Sequence, residues 1–136
     1  MNEVTEKIIS FYENLTPENL NQIDSFYAND CYFRDPFHEL KSIHDLTFLY
    51  SKMFKKLKNP KFKITNYFYK QNEMVLFWEF TCNNNFKISG NSHLILNSEN
   101  KVKIHLDYWD SINEIWLKLP IIGPIIKFFY NLMFKF

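Results

Sequence analysis

Asp35 is the first residue whose surroundings suit acid–base chemistry. It stands between Phe33 and Phe37 in the segment FRDPF and directly precedes Pro36. A carboxylate among apolar side chains loses hydration of its charged form, which makes it a stronger base and suits it to proton abstraction near neutral pH. The structural alternative is an aspartate that caps the turn at the proline. We favour the base function, because perturbed carboxylates cluster at functional sites, and keep the cap as the alternative.

His105 and Asp107 form a second candidate pair in the segment HLDYWD. Side chains alternate across a strand, so these two residues and Trp109 share one face. A histidine and an aspartate at this spacing can share a hydrogen bond or a water, and the pair can supply a base or the group that orients it. The alternative, which we favour from these residues alone, is a satisfied polar pair at an open end of the fold.

Periodicity predicts the elements that hold these groups. Apolar residues recur at helical spacing over residues 2–15, again from Leu20 to a helix end near Asn29 and Asp30, and over residues 42–57. A short β segment ends at Pro36, and four strands follow at Phe62–Tyr69, Met74–Cys82, Phe86–Leu96 and Val102–Trp109. Three helices and these strands indicate an α+β cone, in which a curved antiparallel sheet wraps around the helices.

The last residues of the chain differ in character from the rest. Residues 119–136 begin with a loop that contains Pro120, Gly123 and Pro124, and they continue as an amphipathic helix. Its apolar face comprises Ile125, Ile126, Phe128, Phe129, Leu132, Met133 and Phe136. The segment is too short and too interrupted to span a bilayer. We expect the face to cover this domain or a dimer mate, and docking to a membrane surface or another partner is the alternative.

The composition excludes several function classes. The 16 Lys and Arg nearly balance 15 Asp and Glu, so nucleic acid is not an expected partner. Gly90 and Gly123 are the only glycines, which excludes glycine-rich phosphate loops. No cluster of ligand residues has metal-binding spacing, so we expect neither a metal nor a cofactor. Cys31 and Cys82 lack a CxxC spacing and the N-terminus lacks a leader, which indicates a cytoplasmic protein.

The order of several motifs resembles a known superfamily. The motifs are the tyrosine in IISFYENL, the segment FYANDCYFRDPF, the strand GNSHLIL and the ending HLDYWD, and they extend from Tyr12 to Trp109. Together they resemble the nuclear-transport-factor-2-like superfamily, and within it the SnoaL-like and ketosteroid-isomerase-like branch. The resemblance implies a SnoaL-like domain at residues 1–118, with an apolar pocket between the sheet and the helices, and an extension at 119–136.

The resemblance also implies functions for individual residues. Ketosteroid isomerases have a base at the position that matches Asp35 and an oxyanion-hole tyrosine at the position that matches Tyr12. A core tyrosine whose hydroxyl reaches the rim is the equal alternative for Tyr12. Their second oxyanion donor is a protonated aspartic acid, and Ser92 stands at the matching position here. A hydroxyl is a weaker donor than a neutral carboxylic acid in an apolar site, which argues against steroid isomerisation itself.

By the same resemblance, one face of the strands points into the pocket. Phe37 and His38, which follow Pro36, would lie at the pocket mouth, and Trp78 and Trp109 would form aromatic walls. The implied ligand-binding and polar residues are Phe37, His38, Trp78, Ser92, His105, Asp107 and Trp109.

Three kinds of function remain open, and the third is the one given above, docking of the C-terminal helix on a membrane surface or a partner. The first is a cofactor-free isomerase, cyclase or lyase in which Asp35 is the general base on an apolar carbonyl substrate, Tyr12 is a donor to the oxyanion, and Asp107 with His105 supports them. The second is a non-catalytic module that binds a small apolar molecule or dimerises through its open sheet face. We expect a homodimer.

Overall fold

One six-stranded sheet organises the computed structural model, which describes residues 2–135. The helices are α1 (Glu3–Glu13), α2 (Ile43–Lys56), α3 (Ser111–Glu114) and α4 (Ile122–Phe134), with 3₁₀ helices at Leu20–Ser25 and Trp116–Lys118. The strands are β1 (Tyr27–Arg34), β2 (Glu39–Leu40), β3 (Lys61–Lys70), β4 (Glu73–Cys82), β5 (Phe86–Leu96) and β6 (Val102–Trp109).

The strand order is β2-β1-β6-β5-β4-β3. Strands β3 to β6 form an antiparallel meander, whereas β1 lies parallel to β6 and antiparallel to β2. The chain therefore brings its first strand against its last one, and the residues of both contribute to the same region. The predicted α+β fold with a curved, mainly antiparallel sheet and N-terminal helices is confirmed.

Helices α1 and α2 form where the sequence predicts them, because each combines an apolar stripe with a side-chain cap. The Asn2 side chain accepts a hydrogen bond from the Val4 backbone N–H at 3.0 Å. Ser42 Oγ accepts one from the Asp45 backbone N–H at 3.1 Å. Such caps satisfy backbone donors that have no partner inside the helix.

The second N-terminal helix is shorter than predicted. Thr16 and Asn19 exchange two side-chain-to-backbone hydrogen bonds, of 2.8 and 3.3 Å, which close a turn instead of starting an α-helix. Only the 3₁₀ helix Leu20–Ser25 follows, and the chain is already a strand at Tyr27. The reason is sheet pairing, since Tyr27 pairs with Val102 of β6 and so cannot stay helical.

The core lies between the sheet and the helices α1 and α2. Alternate residues of β4 are buried, as a strand with one covered face requires. The largest apolar cluster joins Ile8 and Phe11 of α1, Leu15 just after that helix, Leu46 of α2, and Leu76, Leu94 and Val102 of the sheet. A smaller cluster of Trp78, Phe80, Cys82 and Ile88 continues along β4 and β5.

Helix α4 departs from our expectation. Its extensive contacts are with the 3₁₀ helix Trp116–Lys118, and none of its residues belongs to the core clusters. Gly123 lies so close to Leu117 that a Cβ on it would be 2.3 Å from the Leu117 carbonyl oxygen. The apolar side chains after Ile121 are largely exposed, so the expectation that they cover this domain is wrong. Phe136, assigned to the same face, lies outside the described residues.

Cover by a dimer mate is a separate expectation and stays a prediction. Among residues 2–135, no helix combines the length and the apolar character that crossing a bilayer requires.

Candidate functional site

A cavity of about 450 Å³ lies between α2 and the inner face of the sheet. Apolar side chains make up most of its wall, including Leu49 and Met53 from α2. The structure places every residue of the predicted site in its lining: Tyr12, Asp35, Phe37, His38, Trp78, Ser92, His105, Asp107 and Trp109. Asp35 and Asp107 thus face one shared space.

Strand register explains why distant residues meet in this cavity. Ser92 of β5 stands opposite Asp107 of β6, and the next inward pair is Leu94 with His105. On its other side β6 pairs with β1, where Phe33 stands beside His105. The imidazole of His105 is therefore enclosed on both sides and is buried.

Asp107 is held by two hydrogen bonds to one of its oxygens. His105 Nε2 lies 2.6 Å from Asp107 Oδ1, and Ser92 Oγ donates to the same oxygen at 2.5 Å. Trp78 Nε1 in turn donates to Ser92 Oγ at 2.8 Å. The indole thereby fixes the serine rotamer, and the serine proton is committed to the carboxylate.

The other side of His105 continues the same hydrogen-bond chain. His105 Nδ1 lies 2.7 Å from the Tyr27 hydroxyl, which is also hydrogen-bonded to the Tyr12 hydroxyl. When Nε2 carries the proton toward Asp107, Nδ1 accepts from Tyr27, and the oxygen of Tyr27 accepts from Tyr12. A single chain thus runs from Trp78 through the His105–Asp107 pair to Tyr12.

Burial keeps the tyrosines of this site protonated. The pKa values of Tyr12 and Tyr27 are raised well above the ordinary value because burial penalises the phenolate. Burial likewise raises the pKa of Tyr50, which lines the cavity from α2. All three are neutral hydroxyls at physiological pH and can serve as donors.

Asp35 stands at the end of β1, as the sequence predicts, and its carboxylate is bound into the following turn. Asp35 Oδ1 accepts hydrogen bonds from the backbone N–H groups of Phe37 and His38, each at 2.7 Å. The ring nitrogen His38 Nδ1 lies 2.9 Å from Oδ1 and 3.0 Å from Oδ2. These contacts are those of a turn cap, although Asp35 also contributes to the cavity wall.

An aromatic cluster forms the rim of the cavity. The ring of Phe37 packs edge-on against Trp109, with a centroid distance of 5.6 Å, and against Trp116 at 6.1 Å. Phe37 is about half exposed. The rim is thus connected to the 3₁₀ helix that precedes α4.

Tyr27 and Tyr50 are site residues that the sequence interpretation missed. Helical periodicity in the sequence includes Tyr27 in the second predicted helix, which starts at Leu20, and Tyr50 in the third, over residues 42–57. A buried tyrosine hydroxyl usually needs a polar partner, and this was the one available signal. Finding the partner of Tyr27 required knowing that β1 pairs with β6, because the two residues of the Tyr27–His105 contact are far apart in the chain.

The arrangement can bind an apolar molecule and move a proton. Asp107 Oδ2 has no hydrogen-bond partner among the described residues and is not a buried unpartnered atom. A carboxylate oxygen in this state is available to a ligand or water. No group of three or more His, Cys, Asp and Glu within residues 2–135 is arranged to hold a metal ion.

The comparison with protein families gives a match to the SnoaL-like domain over residues 8–106. This range contains Tyr12, Asp35, Ser92 and His105, and it ends one residue before Asp107. No curated protein matches the chain.

Several solved structures have the same fold. A candidate SnoaL-like polyketide cyclase from Shewanella putrefaciens CN-32 has a TM-score of 0.68 at 15% identity, covering 81% of this chain and 91% of that one. A protein with a ketosteroid isomerase-like fold from Catenulispora acidiphila DSM 44928, in complex with trimethylamine, has a TM-score of 0.67 at 12% identity, with coverages of 85% and 91%.

An NTF2-like protein of unknown function from Cytophaga hutchinsonii ATCC 33406 has a TM-score of 0.63 at 15% identity, covering 82% of this chain and 93% of that one. At these identities the structural likeness concerns the fold, and the family follows from the matched domain. The chain belongs to the SnoaL-like domain family, on the fold shared by NTF2-like and ketosteroid-isomerase-like proteins.

Proposed function

We propose that this protein is a cofactor-free acid–base enzyme for a small apolar carbonyl compound, with Asp107 as the base and His105 as its positioning partner. The observation that carries the proposal is the state of the Asp107 carboxylate. Oδ1 is fixed by Ser92 and His105, whereas Oδ2 has no hydrogen-bond partner within residues 2–135 and belongs to a residue that lines an apolar cavity. An oriented carboxylate with one free oxygen is what proton abstraction requires.

Asp107 suits this function better than Asp35, which the sequence predicts as the general base. Both oxygens of Asp35 lie within hydrogen-bond distance of His38 Nδ1, and Oδ1 also accepts two backbone N–H groups. Both Asp35 oxygens thus have partners within the turn, whereas the hydrogen bonds that Asp107 makes with the described residues all go to Oδ1 and leave Oδ2 for a substrate proton. We therefore interpret Asp35 as the cap of the turn that carries Phe37 to the cavity rim.

In the proposed reaction, Asp107 Oδ2 removes a proton from the carbon next to the substrate carbonyl. The C–H electron pair moves into the carbonyl to give an enolate. Asp107 then returns the proton to another atom of the enolate, or the enolate carbon attacks a second carbonyl carbon of the substrate, whose C=O π bond opens, and Asp107 gives the proton to the resulting alkoxide. Tyr12, a protonated hydroxyl in the cavity lining, donates a hydrogen bond to the developing oxyanion. The walls of Trp78 and Trp109 hold the apolar body of the substrate and reduce access of water.

The test is exchange of the α-protons of a ketone into D₂O, followed by NMR with cyclohexanone and tetralone as probes. We expect Asp107→Asn to slow exchange by on the order of 100-fold or more, as loss of a general base does. Asp35→Asn retains most of the activity. Asp45→Asn, which changes an exposed carboxylate on α2, is the matched control.

Two results would contradict the assignment. Loss of exchange in Asp35→Asn with activity retained in Asp107→Asn would make Asp35 the base. The second result is that wild-type protein exchanges the α-protons of both ketones no faster than denatured Asp45→Asn protein does in the same buffer. The binding function below then becomes the better proposal.

A non-catalytic apolar-ligand protein is the second candidate, and one observation favours it. Ser92, at the position where the resemblance implies a second oxyanion donor, gives its proton to Asp107 and so has none for a ligand. Quenching of the fluorescence of Trp78 and Trp109 by tetralone measures binding. Equal affinity in wild type and Asp107→Asn, together with no exchange in either, would support this function.

Assembly and location remain predictions for this protein. An exposed aromatic set on the sheet, Phe68, Phe77 and Tyr108, supports a homodimer through the open sheet face. Light scattering of the purified chain would measure the mass. A cytoplasmic location still depends only on the sequence argument.

A further inference from the structure

We propose that α4 docks on the surface of an anionic lipid membrane. The first observation is the exposure of its large apolar side chains. Phe128 is 63% exposed, Leu132 72% and Met133 71%, although all three are of types that normally lie in a core. Exposed apolar groups concentrated on one element mark an interaction surface.

The distribution of these residues around α4 favours lipid over a protein partner. At about 100° per residue, Lys127, Asn131 and Lys135 fall within one narrow stripe of the helix. Apolar residues from Ile122 to Phe134 occupy the remaining arc of roughly 240°. A groove or a second copy of the helix covers one side of such an arc, whereas the acyl-chain boundary of a bilayer surrounds all of it.

Charge gives an independent argument for an anionic surface. From Ile122 to residue 136 the sequence contains Lys127 and Lys135 and no acidic residue, whereas Lys118 before the helix lies 3.5 Å from Glu114. Lys127 and Lys135 lie on the polar stripe, where their long side chains can reach the headgroups while the opposite face is inserted. Each lysine near an anionic surface contributes about 1 kcal/mol, which corresponds to a roughly fivefold gain in partitioning.

The base of α4 is fixed to the domain near the cavity. Gly123 lies against the Leu117 carbonyl, and Trp116 packs on Phe37 at the cavity rim. Docking of α4 therefore brings the rim close to the lipid surface, where apolar molecules concentrate. The membrane proposal itself does not depend on the proposed acid–base chemistry.

The experiment is sedimentation of the full chain with vesicles of phosphatidylcholine alone and of phosphatidylcholine with phosphatidylserine. We expect binding to the phosphatidylserine vesicles and a decrease of binding as salt is added. Lys127→Gln with Lys135→Gln lowers partitioning on the order of 30-fold. Lys61→Gln with Lys63→Gln removes two exposed lysines from β3 and is the matched control, with partitioning close to wild type.

A second pair of variants tests the apolar face. Phe128→Ser with Leu132→Ser abolishes vesicle binding and leaves the melting temperature within a few degrees of wild type, because neither side chain belongs to the core. Phe68→Ser, at an equally exposed aromatic of β3, keeps vesicle binding.

Three results would overturn the proposal. They are equal sedimentation with and without phosphatidylserine, wild-type binding by the Phe128→Ser and Leu132→Ser protein, and light scattering that shows a dimer which this double variant dissociates. The last result would identify a second copy of the chain as the occupant of the helix face. Because every readout is sedimentation, melting or mass, failure here leaves the ketone-exchange test of Asp107 unaffected.

Discussion

Replacing Ser92 with alanine tests the hydrogen-bond chain at its most informative point. The buried hydroxyl donates to Asp107 Oδ1 at 2.5 Å and accepts from Trp78 Nε1 at 2.8 Å. Alanine removes both bonds and little else, since it deletes one oxygen. The change leaves the indole N–H of a buried tryptophan without this partner and frees Asp107 from one of its two restraints.

The expected loss of stability follows from these two bonds. A hydrogen bond to a charged group contributes about 1.5–3 kcal/mol, and a buried donor left without a partner costs about 1–3 kcal/mol. The adjoining cavity can admit a water to the indole N–H, which lowers the second cost. We therefore expect the free energy of unfolding to fall by about 2–4 kcal/mol, and the melting temperature to fall by roughly 10 °C.

Urea denaturation followed by tryptophan fluorescence and far-ultraviolet circular dichroism measures this loss. Ser89→Ala, at an exposed position of the same strand, is the control and changes stability by less than about 0.5 kcal/mol. A double-mutant cycle with Trp78→Phe isolates the Ser92–Trp78 contact, with an expected coupling of about 0.5–3 kcal/mol. A Ser92→Ala protein as stable as Ser89→Ala would refute the hydrogen-bond chain.

Three further perturbations have defined outcomes. The pKa values of the buried Tyr12, Tyr27 and Tyr50 are raised, so above the unfolded pKa of about 10 only the unfolded chain loses these protons. Their contribution to stability is therefore complete below that pH and falls by roughly 4 kcal/mol per pH unit above it, which alkaline denaturation would measure. Gly90→Ala places a Cβ 2.6 Å from the Trp78 indole, so we expect the free energy of unfolding in urea to fall by about 1–3 kcal/mol. Stability equal to wild type would mean that the indole can move aside. Asp35→Ala removes the acceptor of two backbone N–H groups, so we expect the free energy of unfolding to fall by about 1–2 kcal/mol. The control Asp24→Ala changes an exposed residue and has almost no effect, and equal effects of the two changes would argue against the turn cap.

The strands were predictable because their signals are local. The limits of β5 and β6 coincide with the predicted ones, since alternation ends at polar turns. In a chain with two glycines, asparagine supplies the left-handed backbone of those turns: φ is 50° at Asn83, 68° at Asn84 and 60° at Asn100. Asparagine tolerates this region better than most residues, so the clusters of asparagine identify the turns.

The start of β1 and the position of α4 were not predictable from local pattern. Residues around Tyr27 satisfy a helical stripe, and only their pairing with β6, far along the chain, makes them a strand. In α4 the apolar stripe is as clear as in a packed helix. The amphipathic pattern shows that a face needs cover, and it does not identify what covers that face.

The residues of the candidate site were likewise predictable where their signal is local and unpredictable where it depends on tertiary contacts. Strand alternation and the resemblance together placed Trp78, Ser92 and Asp107 on the inner face, and the cavity wall contains all three. The choice between base and turn cap for Asp35 depends on which donors reach its oxygens. Two of those donors are backbone N–H groups and the third partner is the His38 ring, and their positions follow from the geometry of the turn, which no residue pattern specifies.

The direction of the hydrogen-bond chain connects the two interpretations of Tyr12. With neutral His105, Nδ1 accepts from Tyr27, Tyr27 accepts from Tyr12, and Tyr12 behaves as a core tyrosine. When His105 is protonated on both ring nitrogens, both are donors, so Tyr27 accepts from Nδ1 and directs its own proton to the Tyr12 oxygen. The Tyr12 proton is then free for another acceptor in the cavity. In the proposed reaction, Tyr12 thus donates to the oxyanion when His105 is the cation paired with Asp107, and Tyr12 is a core tyrosine when His105 is neutral.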